Sequence, residues 1–230
     1  MITGATDGIG LALAGIYRTH AARLLTIGRR AARDLDPALV ASDYCRVDLD
    51  HPYAPALVAE FLHRRGIARL DLLIHCAGVG SYGPAAAQTP TAIDALLDTN
   101  LRAPIALTHA LLPLLVAAKG HIVFIGSVVA ALPAPDYAVY GATKAAIEGF
   151  ARSLRIEQRG HVGVQVIHPG ATRTAMHAKI GAPLERMGWQ RFPPPARVAA
   201  QIAKAIDGGK PVATIGAVNR LLRFAGRHIL

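Results

Sequence analysis

The chain has 230 residues, of which 52% are hydrophobic and only 5% aromatic, and it carries a formal net charge of +10. That length suits one α/β domain spanning 1–230 and leaves two cramped, and the aliphatic bias fits helices packed on a parallel sheet. The arginines are scattered, with no zinc-finger spacing, RNA-binding aromatic signature or helix-turn-helix pattern. The charge therefore argues for anionic small molecules rather than nucleic acid.

Strands and helices alternate along the chain. Met1–Thr3 reads as the end of a strand, Ile9–Ala22 as a helix and Leu24–Ile27 as a buried strand ending in Gly28-Arg29-Arg30. Tyr44–Val47 reads as a strand, Pro55–Arg65 as an amphipathic helix and Leu70–Ile74 as an apolar strand. A long helix from about Thr91 to Ala118 follows, then strand His121–Ile125, helix Tyr137–Gln158 and strand Val162–Ile167. Gly170–Pro195 is punctuated by Pro and Gly, before helix Ala196–Asp207 and strand Val212–Ile215. This pattern predicts about seven parallel strands with helices on both faces. The irregular stretch at about 171–195 has the length of a binding loop or lid.

Cys45 and Cys76 fall in separate apolar segments, which argues against a disulfide framework and for a reducing, cytoplasmic setting. No segment reaches the ~18–20 uninterrupted apolar residues of a spanning helix, so no transmembrane segment is expected.

The first turn, Thr3-Gly4-Ala5-Thr6-Asp7-Gly8-Ile9-Gly10, lies between a strand end and a helix start. Its glycines permit a sharp turn and a close approach to a pyrophosphate, and the helix N-terminus supplies free N–H groups. At the second strand end, an acid accepts from ribose hydroxyls, whereas an arginine favours a 2′-phosphate. Arg29 therefore selects NADP(H) over NAD(H). The third strand ends at Asp48-Leu49 and the fourth at His75-Cys76-Ala77-Gly78, where small residues leave room for a ribose. His75 reads as a packed core residue rather than a ligand, and no metal site is expected.

Tyr140 and Lys144 stand one helical turn apart on one face. A phenol is a poor acid/base at neutral pH, and a nearby ammonium lowers its pKa. Ser127, just after a strand, can hold a substrate carbonyl oxygen. Asn100 precedes Pro104 by four residues. Proline has no N–H, so the Asn100 carbonyl loses its helical partner and can hold a water.

Together these residues resemble the short-chain dehydrogenase/reductase family, in its single-domain, doubly wound Rossmann branch. Gly4, Gly8 and Gly10 match its glycine motif, Asp48 its adenine-contacting acid, and Ala77-Gly78 its fourth-strand motif. Asn100, Ser127, Tyr140 and Lys144 match its catalytic tetrad, and Pro169-Gly170 with Thr174 match the segment around the nicotinamide. The resemblance implies a carbonyl/alcohol oxidoreductase. Tyr140 would pass the proton, Ser127 position the substrate oxygen, Lys144 tune Tyr140 and bind the ribose, and Asn100 hold a relay water. It also implies a homodimer or homotetramer built on the two long helices. A non-catalytic NAD(P)-binding regulator on the same fold is the alternative, and the complete tetrad speaks against it.

Three departures stand out. His75-Cys76 replaces a pair of asparagines, which removes any cross-sheet bond from the second. Asp7 stands where some NADP-specific members carry a basic residue. The first strand is nearly absent, so the natural polypeptide is expected to begin upstream of Met1. Met176, Ile180, Met187, Trp189 and Phe192, with Tyr82 and Val128, suggest a partly apolar substrate pocket. Arg220–Leu230 mixes apolar and basic residues. It is expected to pack on the domain, with a membrane-surface role as the alternative.

Overall fold

Short β-rich runs bounded by glycine and charged turns give the strands, and alanine- and leucine-rich periodic segments give the helices. In the computed structural model, which describes residues 1–20, 23–40 and 43–228, the strands are β1 (Ile2–Thr3), β2 (Leu25–Gly28), β3 (Asp43–Arg46), β4 (Leu72–His75), β5 (His121–Ile125), β6 (Gly163–His168) and β7 (Val212–Thr214). They form one parallel sheet in the order β3-β2-β1-β4-β5-β6-β7. This is the expected doubly wound α/β fold. The strand order reverses between β1 and β4, and such a point opens a crevice at the C-terminal strand ends.

The main helices are α1 (Gly8–His20), α2 (Pro37–Val40), α3 (Ala54–Arg64), α4 (Pro90–Leu97), α5 (Ala103–Ala118), α6 (Ala138–Glu157), α7 (Ala175–Lys179), α8 (Pro195–Asp207) and α9 (Ala217–His228). Ala21 and Ala22, placed in the first helix by sequence, lie outside the described residues. On one face of the sheet, Val58 and Leu62 of α3, Leu107, Leu111 and Leu115 of α5, and Ile147, Ala151 and Leu154 of α6 bury against Ile27, Leu73, Phe124 and Val166. On the other, Leu13 and Ala14 of α1 and Val198, Ala199 and Ile202 of α8 cover Ile2, Ile74, Val123 and Ile167. His75 packs in this core as expected. It stacks on Phe124 with ring centres 4.9 Å apart, its Nε2 lies 3.0 Å from the Thr108 hydroxyl, and burial lowers its pKa to about 3.

The long helix departs from expectation. It is interrupted by a π-helical turn over Asp98–Arg102, where the Ala103 N–H bonds back to the Asp98 carbonyl. The cause is local, since Pro104 has no N–H to return to the Asn100 carbonyl. The run Pro90–Ala118 is also long and apolar enough, by length and composition alone, to cross a membrane, as the core helix of a soluble protein can be. Here its apolar side supplies Leu107, Leu111 and Leu115 to the core.

The tail departs more sharply. The stretch Arg220–Leu230, in which Leu221, Leu222 and Phe224 mix with arginines, is expected to pack on the domain. Its described part lies in helix α9, and those three side chains face solvent. The helix docks instead through Asn219, Arg223 and Gly226. A Cβ at Gly226 would stand 2.3 Å from the Ala131 carbonyl oxygen, so only glycine lets α9 approach so closely. Ile229 and Leu230 lie outside the described residues.

Candidate active site

The strand ends converge on one crevice. Thr3 leads from β1 into the glycine turn, in which Gly4 and Gly8 have φ of 66° and 53°, a region that favours glycine. A Cβ on Gly4 would lie 2.6 Å from the Ala77 backbone, and one on Gly10 would lie 2.2 Å from the Gly4 carbonyl oxygen. The turn therefore nests against the β4 end with no room for side chains. Thr6 rests on Gly28 at the end of β2, and Ile9 packs beneath on the α1 side. The Asp7 carboxylate accepts from the Gly8 N–H at 2.7 Å and also pairs with Arg30 at 3.3 Å and Lys179 at 3.1 Å. Lys179 closes α7 across the crevice mouth, and a Cβ on Gly8 would lie 3.0 Å from Thr174.

The lost asparagine bond is replaced. The Thr3 hydroxyl accepts from the N–H groups of both Cys76 and Ala77 at 3.0 Å, which pins the β4 end beside β1. Sequence reasoning missed this residue, although its place directly before Gly4 was a signal. Beyond β3, Asp48 pairs with Arg29 at 3.4 Å, and Leu49 is buried beneath.

The four tetrad positions come together at the floor of the crevice. Asn100, buried on the π turn, accepts from the Val79 N–H and donates to the Val79 carbonyl, both at 2.9 Å, and donates to Thr143 at 3.2 Å. Its side chain thus ties the β4 end to α6. Val79 and Thr143 were not singled out from sequence; Thr143 sits between Tyr140 and Lys144 and was the legible one. Ser127 follows β5, caps a short turn by accepting from the Val129 N–H at 3.4 Å, and hydrogen-bonds the Tyr140 phenol. Lys144 donates to the Ile125 carbonyl at 3.1 Å, and its Nζ lies 5.8 Å from the Tyr140 ring centre.

Burial is the largest influence on both Tyr140 and Lys144. Burial pushes the Tyr140 phenol up to about 12, the Ser127 hydrogen bond pulls it down, and Tyr137 and Cys76 raise it further. Burial lowers the Lys144 ammonium to about 8, and Cys76 opposes that change. Lys144 spends a donor on Ile125, and desolvation dominates both groups. At neutral pH the phenol is therefore fully protonated.

Behind Ser127 lies a buried charged cluster that sequence did not reveal. The Ser127 carbonyl is 2.9 Å from His168 Nδ1 and 3.5 Å from Arg223, while Arg223 and Arg227 of α9 both hold Glu148 of α6. Gly170, after Pro169 on the β6 end, lies against α9, where an added Cβ would displace the Asn219 amide.

Over the floor, Tyr137 meets Tyr140 edge-on at 6.2 Å and Tyr82 at 5.3 Å, and its hydroxyl reaches the Met187 sulfur at 3.9 Å. A Cβ on Gly80 would touch Ile180 and Met176 at 3.2 and 3.4 Å. Trp189 and Phe192 instead enclose His177, and Val128 is buried.

A dinucleotide fits this crevice on its own geometry. The glycine turn leaves a bare backbone at the α1 N-terminus. Beside the floor, a Cβ on Gly78 would come within 3.3 Å of Asn100 Oδ1 and 3.5 Å of Lys144 Nζ, so the missing side chain leaves space next to both. Among the described residues no cluster of metal-ligating side chains occurs.

Comparisons with known proteins agree. The family model for the short chain dehydrogenases matches residues 1–185. Dehydrogenase/reductase SDR family member 7B of Bos taurus is 35% identical over 189 residues, which cover 76% of this chain and 58% of that protein. The chain thus spans less than two thirds of the length of that curated relative. A solved short-chain dehydrogenase from Streptomyces avermitilis superposes with a TM-score of 0.84 at 27% identity, covering 97% of this chain and 89% of the other. One from Sphingobium yanoikuyae, in complex with NADPH, gives 0.82 at 29% identity, covering 98% and 91%. With its glycine turn, parallel sheet and Ser127–Tyr140–Lys144 floor, the chain belongs to the short-chain dehydrogenase family.

Proposed function

We propose that this oxidoreductase uses NADP(H) to interconvert a carbonyl and an alcohol, with Tyr140 as acid/base. The observation that carries the reading is the buried Tyr140 phenol with Lys144 Nζ 5.8 Å from its ring centre and Ser127 beside it, in a crevice shaped for a dinucleotide. The cofactor supplies or accepts the hydride at the carbonyl carbon. Ser127 and Tyr140 converge on one point, where they hold the substrate oxygen. As the carbonyl is reduced, Tyr140 Oη donates its proton to that oxygen, which a phenol held near pKa 12 does readily only to a strongly basic alkoxide-like centre. Lys144 binds the ribose beside Gly78 and keeps positive charge near the phenolate that forms. Asn100 fixes the β4 end and the π turn, whose carbonyl holds a water for proton return.

NADP(H) is favoured over NAD(H) because Arg29 and Arg30 end β2 with exposed guanidinium groups, and the Sphingobium yanoikuyae relative was solved with NADPH. The cofactor-facing set is Gly4, Thr6, Asp7, Gly8, Ile9, Gly10, Arg29, Asp48, Leu49, Ala77, Gly78, Pro169, Gly170 and Thr174, with the tetrad. Tyr82, Tyr137, Met176, Ile180 and Met187 form an apolar wall for the substrate, with 171–195 as its lid.

The test is Tyr140→Phe. Turnover of a carbonyl and alcohol panel should fall on the order of 10²–10⁴-fold, while cofactor binding, followed by nicotinamide fluorescence, is retained. Near-normal turnover by the variant overturns the mechanism.

A further inference from the structure

Helix α9 is docked inside out. Amphipathic helices of globular proteins put the apolar stripe on the core and the charges in water. Here Arg223, only 4% exposed, and Asn219 and Gly226 face the domain, whereas Val218, Leu221 and Phe224 are 71, 69 and 58% exposed, with Leu222 beside them. The domain pays for the inversion with a dedicated anchor: the buried Glu148 carboxylate receives both Arg223 and Arg227. The exposed residues Val218, Leu221 and Leu222 have the i, i+3, i+4 spacing of one helix face, and Phe224 borders it. Much of the large apolar surface exposed among the described residues is concentrated on this one short helix.

We propose that α9 is a surface by which the protein lies on an anionic lipid bilayer. Charge favours this occupant. The helix contains Arg220, Arg223 and Arg227 and no acidic residue, and Arg220 has no ion pair among the described residues and flanks Phe224. The chain as a whole carries +10. A second copy on this face would bring arginine against arginine and +10 against +10. An anionic bilayer answers both parts of the surface, taking Leu221 and Phe224 among its upper acyl chains and Arg220 among its headgroups. The polar side of such a helix ordinarily faces water; here the domain takes the place of water and fixes the orientation of the whole protein. The surface is separate from the crevice, so its test is independent of the proposed reaction.

The experiment is flotation of the full chain with vesicles of phosphatidylcholine alone and of phosphatidylcholine with about one third phosphatidylserine, at physiological salt. The anionic vesicles should bind at least about tenfold more protein, and Leu221→Ser with Phe224→Ser should remove about tenfold of that binding. Both side chains are exposed, so melting temperature and turnover should not change. Binding to neither vesicle overturns the proposal. So does equal binding by the double variant, which would leave only the diffuse charge of the chain. So does a wild-type dimer, without vesicle binding, that the double variant dissociates, because the stripe would then be covered by a second copy.

Discussion

Arg223 and Glu148 form a buried ion pair immediately behind Ser127, with side chains only 5% and 7% exposed. Burial alone would raise the Glu148 carboxyl. The hydrogen bond from Arg223, with the charges of His168, Arg223 and Arg227, outweighs burial and holds it below its ordinary value. Such a pair is costly to break from one side, because the remaining charge stays desolvated.

Arg223→Met should therefore destabilise the protein by about 3–5 kcal/mol, a drop in melting temperature of about 6–20 °C for a chain of this size. Glu148→Leu combined with Arg223→Met should cost much less than the two single changes together. Thermal melts of the four proteins check this, and additive losses would show that the two residues do not act as a pair.

The same cluster sets the acid limit of the wild type. Glu148 has a depressed folded pKa, so its contribution is present above its unfolded value near 4.5 and is lost as pH falls through the folded value. His168, lowered to about 4 from 6.5 chiefly by burial, adds a second loss, because the unfolded chain takes up a proton below 6.5 that the folded protein refuses until about 4. Stability should fall in two stages, first between about 6.5 and 4 and then further below. A His168→Gln variant melted across that range should lack the first stage.

Lys144 should cost stability where it serves chemistry. Its folded pKa of about 8 lies below the ordinary 10.5, so the penalty is fully present below 8 and disappears as pH rises through 10.5. Lys144→Met should raise stability at neutral pH by ~1–3 kcal/mol, the loss of the Ile125 hydrogen bond offsetting part of the gain. The advantage should shrink between pH 8 and 10.5, and turnover should collapse at every pH. Melting curves and rates of the one variant report both effects.

Arg29→Ala should weaken NADP(H) binding by about 10–100-fold and leave NAD(H) nearly unchanged, because a charge-assisted phosphate contact is lost while the ribose hydroxyl contacts remain. Titrations of both cofactors with both proteins decide it. A preference that survives in the variant would assign the phosphate to Arg30, released from Asp7.

The residues that meet at strand ends were legible because backbone geometry dictates them. Gly4, Gly8 and Gly10 can only be glycines in that turn, and a strand followed by Ser127 and a helix carrying Tyr140 and Lys144 leaves the floor little freedom. What resisted reading was set by distant partners. Nothing near Arg223 announces that Glu148, on another helix, will bury it and turn the apolar side of α9 outward. Nor does helical spacing say that Lys144 will aim at the Ile125 carbonyl, leaving desolvation to govern Tyr140. Asp7 looked like a liability for an anionic cofactor, and its pairing with Arg30 and Lys179 emerges only when α7 folds over the glycine turn.

The π turn at Asp98–Arg102 stores one residue more than an α-helical turn needs. Removing any one of those five residues would take out the extra residue of the π turn, although Pro104 would still leave one carbonyl without its helical partner. It would also rotate α5 by about 100° relative to α4, turning Leu107, Leu111 and Leu115 away from the sheet or carrying Asn100 away from Val79. The segment is therefore intolerant of deletion. Its length is itself a sequence constraint, held in place by the conflict between a more regular helix and a core that only the irregular one can fill.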